Sequence, residues 1–186
     1  MKAEQKINLK TAIALSAILI ALGLFGRLLP HAWNMTPTAA VVLFASAYLG
    51  IRYSAAVFLI TMFVADIFLG FYNWKIMLSV YLSFGLIALI GLLIKRNRTA
   101  LKILGGALLS SVIFFIVSNL AVWQWSGMYS HTLAGLSECF TLAIPFFKNT
   151  LAGDLLYSGL LFGVFESVFH LSARKNLAVE SSLQNS

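Results

Sequence analysis

The chain has 186 residues, of which 60% are hydrophobic and 10% charged, whereas an average soluble domain carries roughly 25% charged residues. This composition excludes an ordinary soluble domain and indicates a polytopic membrane protein. The net charge of +7 would suit nucleic-acid binding, but the basic residues form short clusters between apolar runs. That pattern sets membrane orientation, so we expect no nucleic-acid partner.

Six apolar segments predict an all-α protein with six transmembrane helices in a single domain, residues 1–175. The segments cover residues 11–29, 36–49, 53–71, 76–94, 103–122 and 149–171. Several approach the roughly 20 residues that span about 30 Å of hydrocarbon. The second is shorter and predicts a helix that is buried, tilted or partly re-entrant.

The first segment follows three lysines and superficially resembles a signal peptide. Further apolar segments of similar length follow it, as in a polytopic membrane protein. We therefore expect the first helix to be retained.

The basic residues predict how the chain is oriented. With the N-terminus inside, ten of the thirteen fall on the cytoplasmic side: Lys2, Lys6, Lys10, Arg52, Lys95, Arg96, Arg98, Lys102, Arg174 and Lys175. Arg27, Lys75 and Lys148 fall on the other side. This bias predicts that both termini are cytoplasmic, in a multi-pass protein of the inner (cytoplasmic) membrane.

Two further segments lie outside the predicted helices. Residues 123–148 form the longest connection, on the outer side, and suit either a lid or interfacial helix, or an aromatic belt at the headgroups. The polar tail, residues 176–186, is expected to be disordered.

Polar side chains from several segments fall at one level near the outer face, where they are costly unless paired or facing a cavity. These residues are Arg27, Asn34, Asp66, Asn119, Asn149 and Asp154. Glu166 is the main exception, about 18 Å below Asp154 by helical rise.

Two interpretations of this level stay open. Arg27, Asp66 and Asp154 could form a structural ion pair or triad that locks helices one, three and six. Alternatively, the charges could face a polar cavity and bind a substrate. The accompanying polar and aromatic residues favour the cavity, since a structural pair does not need them: Asn34, Tyr81, Asn119, Trp123 and Asn149.

Catalytic and metal chemistry are not indicated. Two carboxylates could serve as acid and base, but no His or Ser is obviously paired with them, so we expect no enzyme. Cys139 is alone, and His31, His131 and His170 lack the spacing of metal ligands. The sequence also has no glycine-rich phosphate loop, and we expect no cofactor.

Small residues line one side of the first helix. Ala14, Ala17 and Ala21 share a face at i, i+3 and i+7, and such a stripe allows another helix to approach closely. Ordinary internal packing is the alternative interpretation.

Three motifs, taken in order, resemble a known family. They are Asn34-Met35-Thr36-Pro37 opening helix two, Asp66-Ile67-Phe68-Leu69-Gly70 ending helix three, and the stretch 145–154 opening helix six. With the alanine stripe and the six short helices, they resemble the S components, the substrate-binding subunits of energy-coupling-factor (ECF) vitamin transporters. The nearest likeness is to an uncharacterised S-component-like group.

The resemblance implies a pocket near the outer face and a docking role for the alanine stripe. It places Tyr81, Asn119, Trp123, Asn149 and Asp154 around a ligand, and Ala17 and Ala21 against a membrane coupling subunit. The ligand signatures of thiamine, riboflavin, biotin and folate carriers are not recognisable, so the substrate does not transfer.

Three functional hypotheses follow. The first is a substrate-binding subunit for uptake of a small vitamin-like or nucleobase-like solute, coupled to ATP-driven partners. The second is a self-sufficient secondary carrier or facilitator in which Asp66, Asp154 or Glu166 exchanges a proton or cation. The third is a scaffold without a ligand, in which the polar residues only lock helices.

Overall fold

The computed structural model describes residues 7–30, 32 and 34–184, with side chains as far as Phe169. Over these residues the protein is all-α, with six helices and no strands, which confirms the all-α part of the predicted fold class. The helices are α1 (Leu9–Leu28), α2 (Thr38–Leu49), α3 (Ile51–Leu69), α4 (Trp74–Ile94), α5 (Ala100–Trp125) and α6 (Leu133–Gln184).

Five of these helices are long and apolar enough to cross a membrane. They are α1, α3, α4, α5 and the part of α6 from Leu133 to Phe169. Large hydrophobic side chains cover their outer surfaces, with Leu93 80% and Leu101 82% exposed. Exposing apolar surface on all five of these helices would be unfavourable in water, but it is favourable in hydrocarbon. The chain is therefore a multi-pass membrane protein.

Helix α2 lies at the centre of the bundle. Its 12 residues extend about 18 Å, too short to span the hydrocarbon, and all of them from Thr38 to Tyr48 are buried. It contacts each of the other five helices. Of the three alternatives for the second segment, the structure shows the short buried helix, so five of the described helices, rather than the predicted six, are long enough to span the membrane.

The other helices surround α2 in a fixed order. Contacts run from α1 to α3, then to α4, α5 and α6. Within the described part of the chain, α1 and α6 make no contact with each other, and both pack on α2. The ring around α2 is thus open on one side, between α1 and α6.

Glycines end two of the helices. Gly50 separates α2 from α3 with φ of 91°, and Gly70 ends α3 with φ of 95°. Both angles lie in the left-handed region that side chains with a Cβ rarely adopt. The reversal at Gly50 requires no other residue between α2 and α3, which keeps the short helix inside the bundle.

A glycine also lets α4 approach α2 closely. A Cβ added at Gly91 would lie 2.6 Å from the carbonyl oxygen of Leu43 and 2.6 Å from the Cβ of Ser46. Ser46 in turn donates a hydrogen bond to the carbonyl of Ala88. Small residues and cross-helix hydrogen bonds of this kind hold membrane helices together, where lipid offers little hydrophobic driving force.

Basic side chains collect at the end of the bundle where α2 stops. We call this end the basic face and define it by Arg52, Lys95, Arg96, Arg98 and Lys102. Arg98 donates to the carbonyl of Ala47 at 3.3 Å, which joins the α4–α5 turn to the end of α2. The opposite end, the far face, carries residues 29–30, 32 and 34–37 of the first loop and the loops 70–73 and 126–132. That the basic face is cytoplasmic stays a prediction.

Helix α6 differs from its predicted bounds. It begins at Leu133, where the sequence suggested a connection as far as residue 148, and it continues through Pro145. Its added turns pack on α5, where Phe140 meets the ring of Phe115 edge-on at 5.3 Å. Residues 176–184 are helical rather than disordered, and residues 185–186 lie outside the described part.

Candidate functional site

An ion pair joins α1 to α3 near the far face. Nη2 of Arg27 lies 3.3 Å from Oδ1 of Asp66, and the hydroxyl of Tyr81 on α4 donates to Oδ2 of Asp66 at 3.0 Å. Asp66 is 1% exposed. Both carboxylate oxygens thus have partners, which a buried charge needs. Three of the predicted site residues therefore meet in one cluster.

Tyr72, in the loop after α3, lies close enough to feel the same charges. Burial, first, and the Asp66 charge, second, raise the pKa of the Tyr72 phenol, and with the opposing effect of Arg27 it is about 12. A negative neighbour disfavours the phenolate, as does loss of solvent. The Tyr72 hydroxyl is therefore protonated throughout the physiological range.

Asp154 makes a separate contact on α6. The hydroxyl of Ser111 on α5 donates to Oδ2 of Asp154 at 2.6 Å, and Asp154 is 2% exposed. The structure therefore divides the predicted triad: Arg27 pairs with Asp66, while Asp154 has a neutral partner. A carboxyl group buried against a hydroxyl, without a cation in contact among the described residues, must be neutral or receive a cation from elsewhere.

A cavity of about 80 Å³ lies between these groups. Its polar lining comes from Arg27, Asn34, Thr36, Thr150 and Asp154, and its apolar lining from Ala39, Phe84 and Phe114. Arg27 and Asp154 share its wall. Five helices and the first loop thus line one small cavity, as the cavity interpretation expects. The helices are α1, α2, α4, α5 and α6.

The first loop and the start of α2 place polar backbone groups beside the cavity. Asn34 has φ of 61°, a left-handed conformation that Asn tolerates better than most residues. Pro37 follows as the N-cap of α2 and provides no side-chain cap for the first N–H groups. The positive end of the α2 dipole therefore lies beside Ala39 in the cavity wall.

The loop is packed closely against α6. A Cβ added at Gly153 would lie 3.1 Å from Cγ of Met35 and 3.4 Å from its Cα. On α1, a Cβ at Gly26 would lie 2.3 Å from two ring carbons of Pro37. Glycines thus let the loop sit between α1 and α6, where it covers the cavity.

Five of the predicted substrate-binding residues do not line the cavity. Asp66 and Tyr81 bond each other beside Arg27 instead. The amide of Asn119 donates to the carbonyl of Phe115 in its own helix at 2.7 Å. The indole N–H of Trp123 donates to the carbonyl of Ser130 at 3.0 Å, near the loop of the far face. Asn149 is half-buried and has other contacts, and its neighbour Thr150 lines the cavity instead.

The alanine stripe faces away from the bundle. Ala14 and Ala17 are exposed and Ala21 is half-buried. The buried side of α1 carries Ala12, Leu19 and Gly23 instead. Internal packing, the alternative interpretation of the stripe, does not describe Ala14 or Ala17, and their docking role stays a prediction.

A second polar cluster lies at the basic face. The hydroxyl of Tyr48 at the end of α2 donates to Oε1 of Glu166, and Nε of Arg98 lies 3.9 Å from the same oxygen. The Arg98 guanidinium also lies over the Tyr48 ring, 4.4 Å from its centroid. Glu166 is therefore part of a network that joins α2, α6 and the α4–α5 turn.

Several residues of these clusters carry little signal in the sequence. Arg98 contributes only to the charge bias, and Tyr48 lies within an apolar segment. Ser111 carries a weak signal, because it follows Ser110 within an otherwise apolar helix. Hydroxyls in membrane helices usually bond their own backbone, so their cross-helix partners are not readable from spacing.

Among the described residues, no cluster of three or more His, Cys, Asp or Glu could hold a metal ion. His31 lies outside the described residues, as does the side chain of His170. His131 packs beside Trp123 with a ring-centroid distance of 5.6 Å.

Comparison with known proteins gives one result. Neither the curated proteins nor the solved structures contain a match. The sequence profile of a family of unknown function, DUF6580, matches residues 5–177. The match covers nearly the whole chain, and the protein therefore belongs to the DUF6580 family.

Proposed function

We propose that the protein binds a small organic solute in the cavity beside α2 and takes part in its uptake across the membrane. One observation carries the proposal: a cation, a carboxyl group and the positive end of a buried helix share a single small cavity. Broken or short helices that end beside polar groups inside the membrane are typical of transporter binding sites.

The size of the cavity bears on what can be bound. Ligand sites usually measure about 300–1,000 Å³, so the 80 Å³ cavity is too small for a vitamin-like or nucleobase-like solute as it stands. Binding such a solute requires the first loop to move off α6, at the contact between Met35 and Gly153. Asn34 and Asp154 line the cavity already, and the enlarged site would bring in Asp66 and Tyr81, with Asn119, Asn149 and Trp123 farther from the solute.

A ligand screen tests the binding proposal. Purified protein is heated in the presence of vitamins, nucleobases and related metabolites, since a ligand of the folded state raises the unfolding midpoint. Asp154→Asn should remove the shift. Glu138→Gln, which changes an exposed carboxylate on the same helix, should retain it. If no compound shifts the midpoint and Asp154→Ala melts as the parent does, the site is wrong.

ATP-driven partner subunits are the first way to power uptake, as in the ECF transporters that the sequence resembles. The exposed alanine face of α1 supports this arrangement, because Ala14 and Ala17 leave room for a helix of a coupling subunit. Catalysis is not part of the proposal.

A self-sufficient carrier is the second candidate, and the cluster at the basic face favours it. Glu166 is a membrane carboxylate with a tyrosine and an arginine as partners, and such groups often mark ion pathways. Uptake into liposomes that contain this protein alone would support the second candidate. Such uptake would exclude a need for partners, and its loss in Glu166→Gln would assign the transport to this carboxylate.

A further inference from the structure

One side of α6 carries a stripe of four residues, the last two of which contact α2. Asp154, Ser158, Phe162 and Glu166 follow one another at every fourth position, which places them on one side of a helix. The first three are at most 2% exposed, and Phe162 and Glu166 contact Tyr48 of α2. The stripe runs about 18 Å, from the cavity to the basic face.

Ser158 has an unsatisfied hydroxyl within this stripe. It is fully buried, and its Oγ has no hydrogen-bond partner among the described residues. Ser110 on α5, by contrast, donates to the carbonyl of Gly106 in its own helix. A buried hydroxyl without a partner is unusual, and a polar group that passes beside it is one explanation.

Aromatic rings close the α2–α6 interface beyond Ser158. The ring of Phe162 lies 5.1 Å from that of Phe44 and 5.7 Å from that of Tyr48. Phe165 packs on the same two rings at 5.3 and 4.5 Å. We call these four side chains the aromatic seal. A hydrophobic constriction of this kind blocks water and polar solutes.

The seal ends in the polar cluster at the basic face. Tyr48 belongs to both, since its ring packs on Phe162 and its hydroxyl donates to Glu166. Arg98 bonds the end of α2 and lies beside Glu166. A carboxyl group therefore stands at each end of the stripe, with an unsatisfied hydroxyl and the seal between them.

We propose that the α2–α6 interface is the path along which the solute crosses the membrane. The solute passes from the cavity at Asp154 past Ser158, and the aromatic seal and the Arg98–Glu166 contact close the path at the basic face. The inference rests on the proposed solute binding and favours the self-sufficient carrier, because a binding subunit that is moved as a whole by partners needs no internal path.

Thiol labelling tests the path without a ligand. In a Cys139→Ala background, Ser158→Cys places the protein's single thiol between the cavity and the seal. A membrane-impermeant methanethiosulfonate is applied to the basic face of oriented vesicles. Cys at 158 should be inert with the seal intact. Phe162→Ala should raise its labelling rate by at least an order of magnitude, because removal of the ring opens the constriction.

Phe140→Ala is the matched control, since it also removes an α6 ring but from the contact with Phe115, away from the seal. If Phe162→Ala fails to give monodisperse protein, Phe165→Ala, at the half-buried edge of the seal, replaces it. The path is excluded if Cys at 158 stays inert in a folded seal variant, or if Phe140→Ala raises labelling equally. Neither result depends on solute binding, which the ligand screen measures separately.

Discussion

At the scale of single residues, the cost of burying charge determines how the polar groups are arranged. Asp66 is satisfied on both oxygens by Arg27 and Tyr81, whereas Asp154 has Ser111 as its partner. The two carboxyl groups are near in space but different in environment. We therefore expect Asp66 to contribute mainly to stability and Asp154 mainly to ligand binding.

Asp66→Ala should destabilise the protein strongly. It leaves the Arg27 guanidinium partly buried without its carboxylate, and breaking such a pair costs about 3–5 kcal/mol. Replacing both charges, in Arg27→Met with Asp66→Leu, should cost less than Asp66→Ala, because no charge is left unpaired. Unfolding midpoints in detergent measure both. Losses that simply add across the double-mutant cycle would contradict the pair.

Gly91→Ala should destabilise the contact between α4 and α2. The added methyl would lie 2.6 Å from the Leu43 carbonyl oxygen, and overpacking of this kind typically costs about 1–3 kcal/mol. Gly85→Ala on the same helix is the control, since nothing lies within 4 Å of its added Cβ. Its helix propensity should make it neutral or slightly stabilising. Equal effects of the two changes would exclude the close approach.

At the scale of elements, segment length predicted that α2 is short, whereas a proline suggested the wrong starting residue for α6. About 14 apolar residues were too few to span, and the short helix is buried as expected. The proline at 145 favoured a connection as far as residue 148, but the helix begins at Leu133 and continues through Pro145. Proline is tolerated inside membrane helices when neighbouring groups satisfy the freed backbone, and no single-sequence pattern reveals those neighbours.

The two sides of α1 should respond differently to the same substitution. Ala12 is 4% exposed and faces the bundle, so Ala12→Leu should lower the unfolding midpoint through overpacking. Ala17 is exposed, and Ala17→Leu should leave stability within about 0.5 kcal/mol of the parent, as is usual for surface changes. If coupling subunits exist, Ala17→Leu should weaken their association. Equal destabilisation by both changes would place Ala17 inside the bundle.

At the scale of the whole molecule, the sequence predicted the layer of polar residues better than their partners. Helical rise placed Arg27, Asp66 and Asp154 near one level, and Arg27 and Asp154 line one cavity. It could not predict that Glu166 meets Tyr48 and Arg98. Those contacts depend on how the α2 end, the α4–α5 turn and α6 are rotated toward one another, which spacing along one chain does not determine.

The charge bias makes one prediction about the whole molecule, that the basic face is cytoplasmic. Positive residues resist translocation, so their excess at the ends of α2, α4 and α5 should hold these ends inside.

Single thiols in the Cys139→Ala background report this orientation. Asn97→Cys lies in the exposed turn at the basic face, and Met128→Cys lies in the loop of the far face, where Met128 is 73% exposed. In intact cells an impermeant thiol reagent should label the cysteine at 128 alone, and the cysteine at 97 should react after permeabilisation. Labelling of 97 in intact cells with protection of 128 would invert the molecule, place the cavity loop inside, and turn uptake into export.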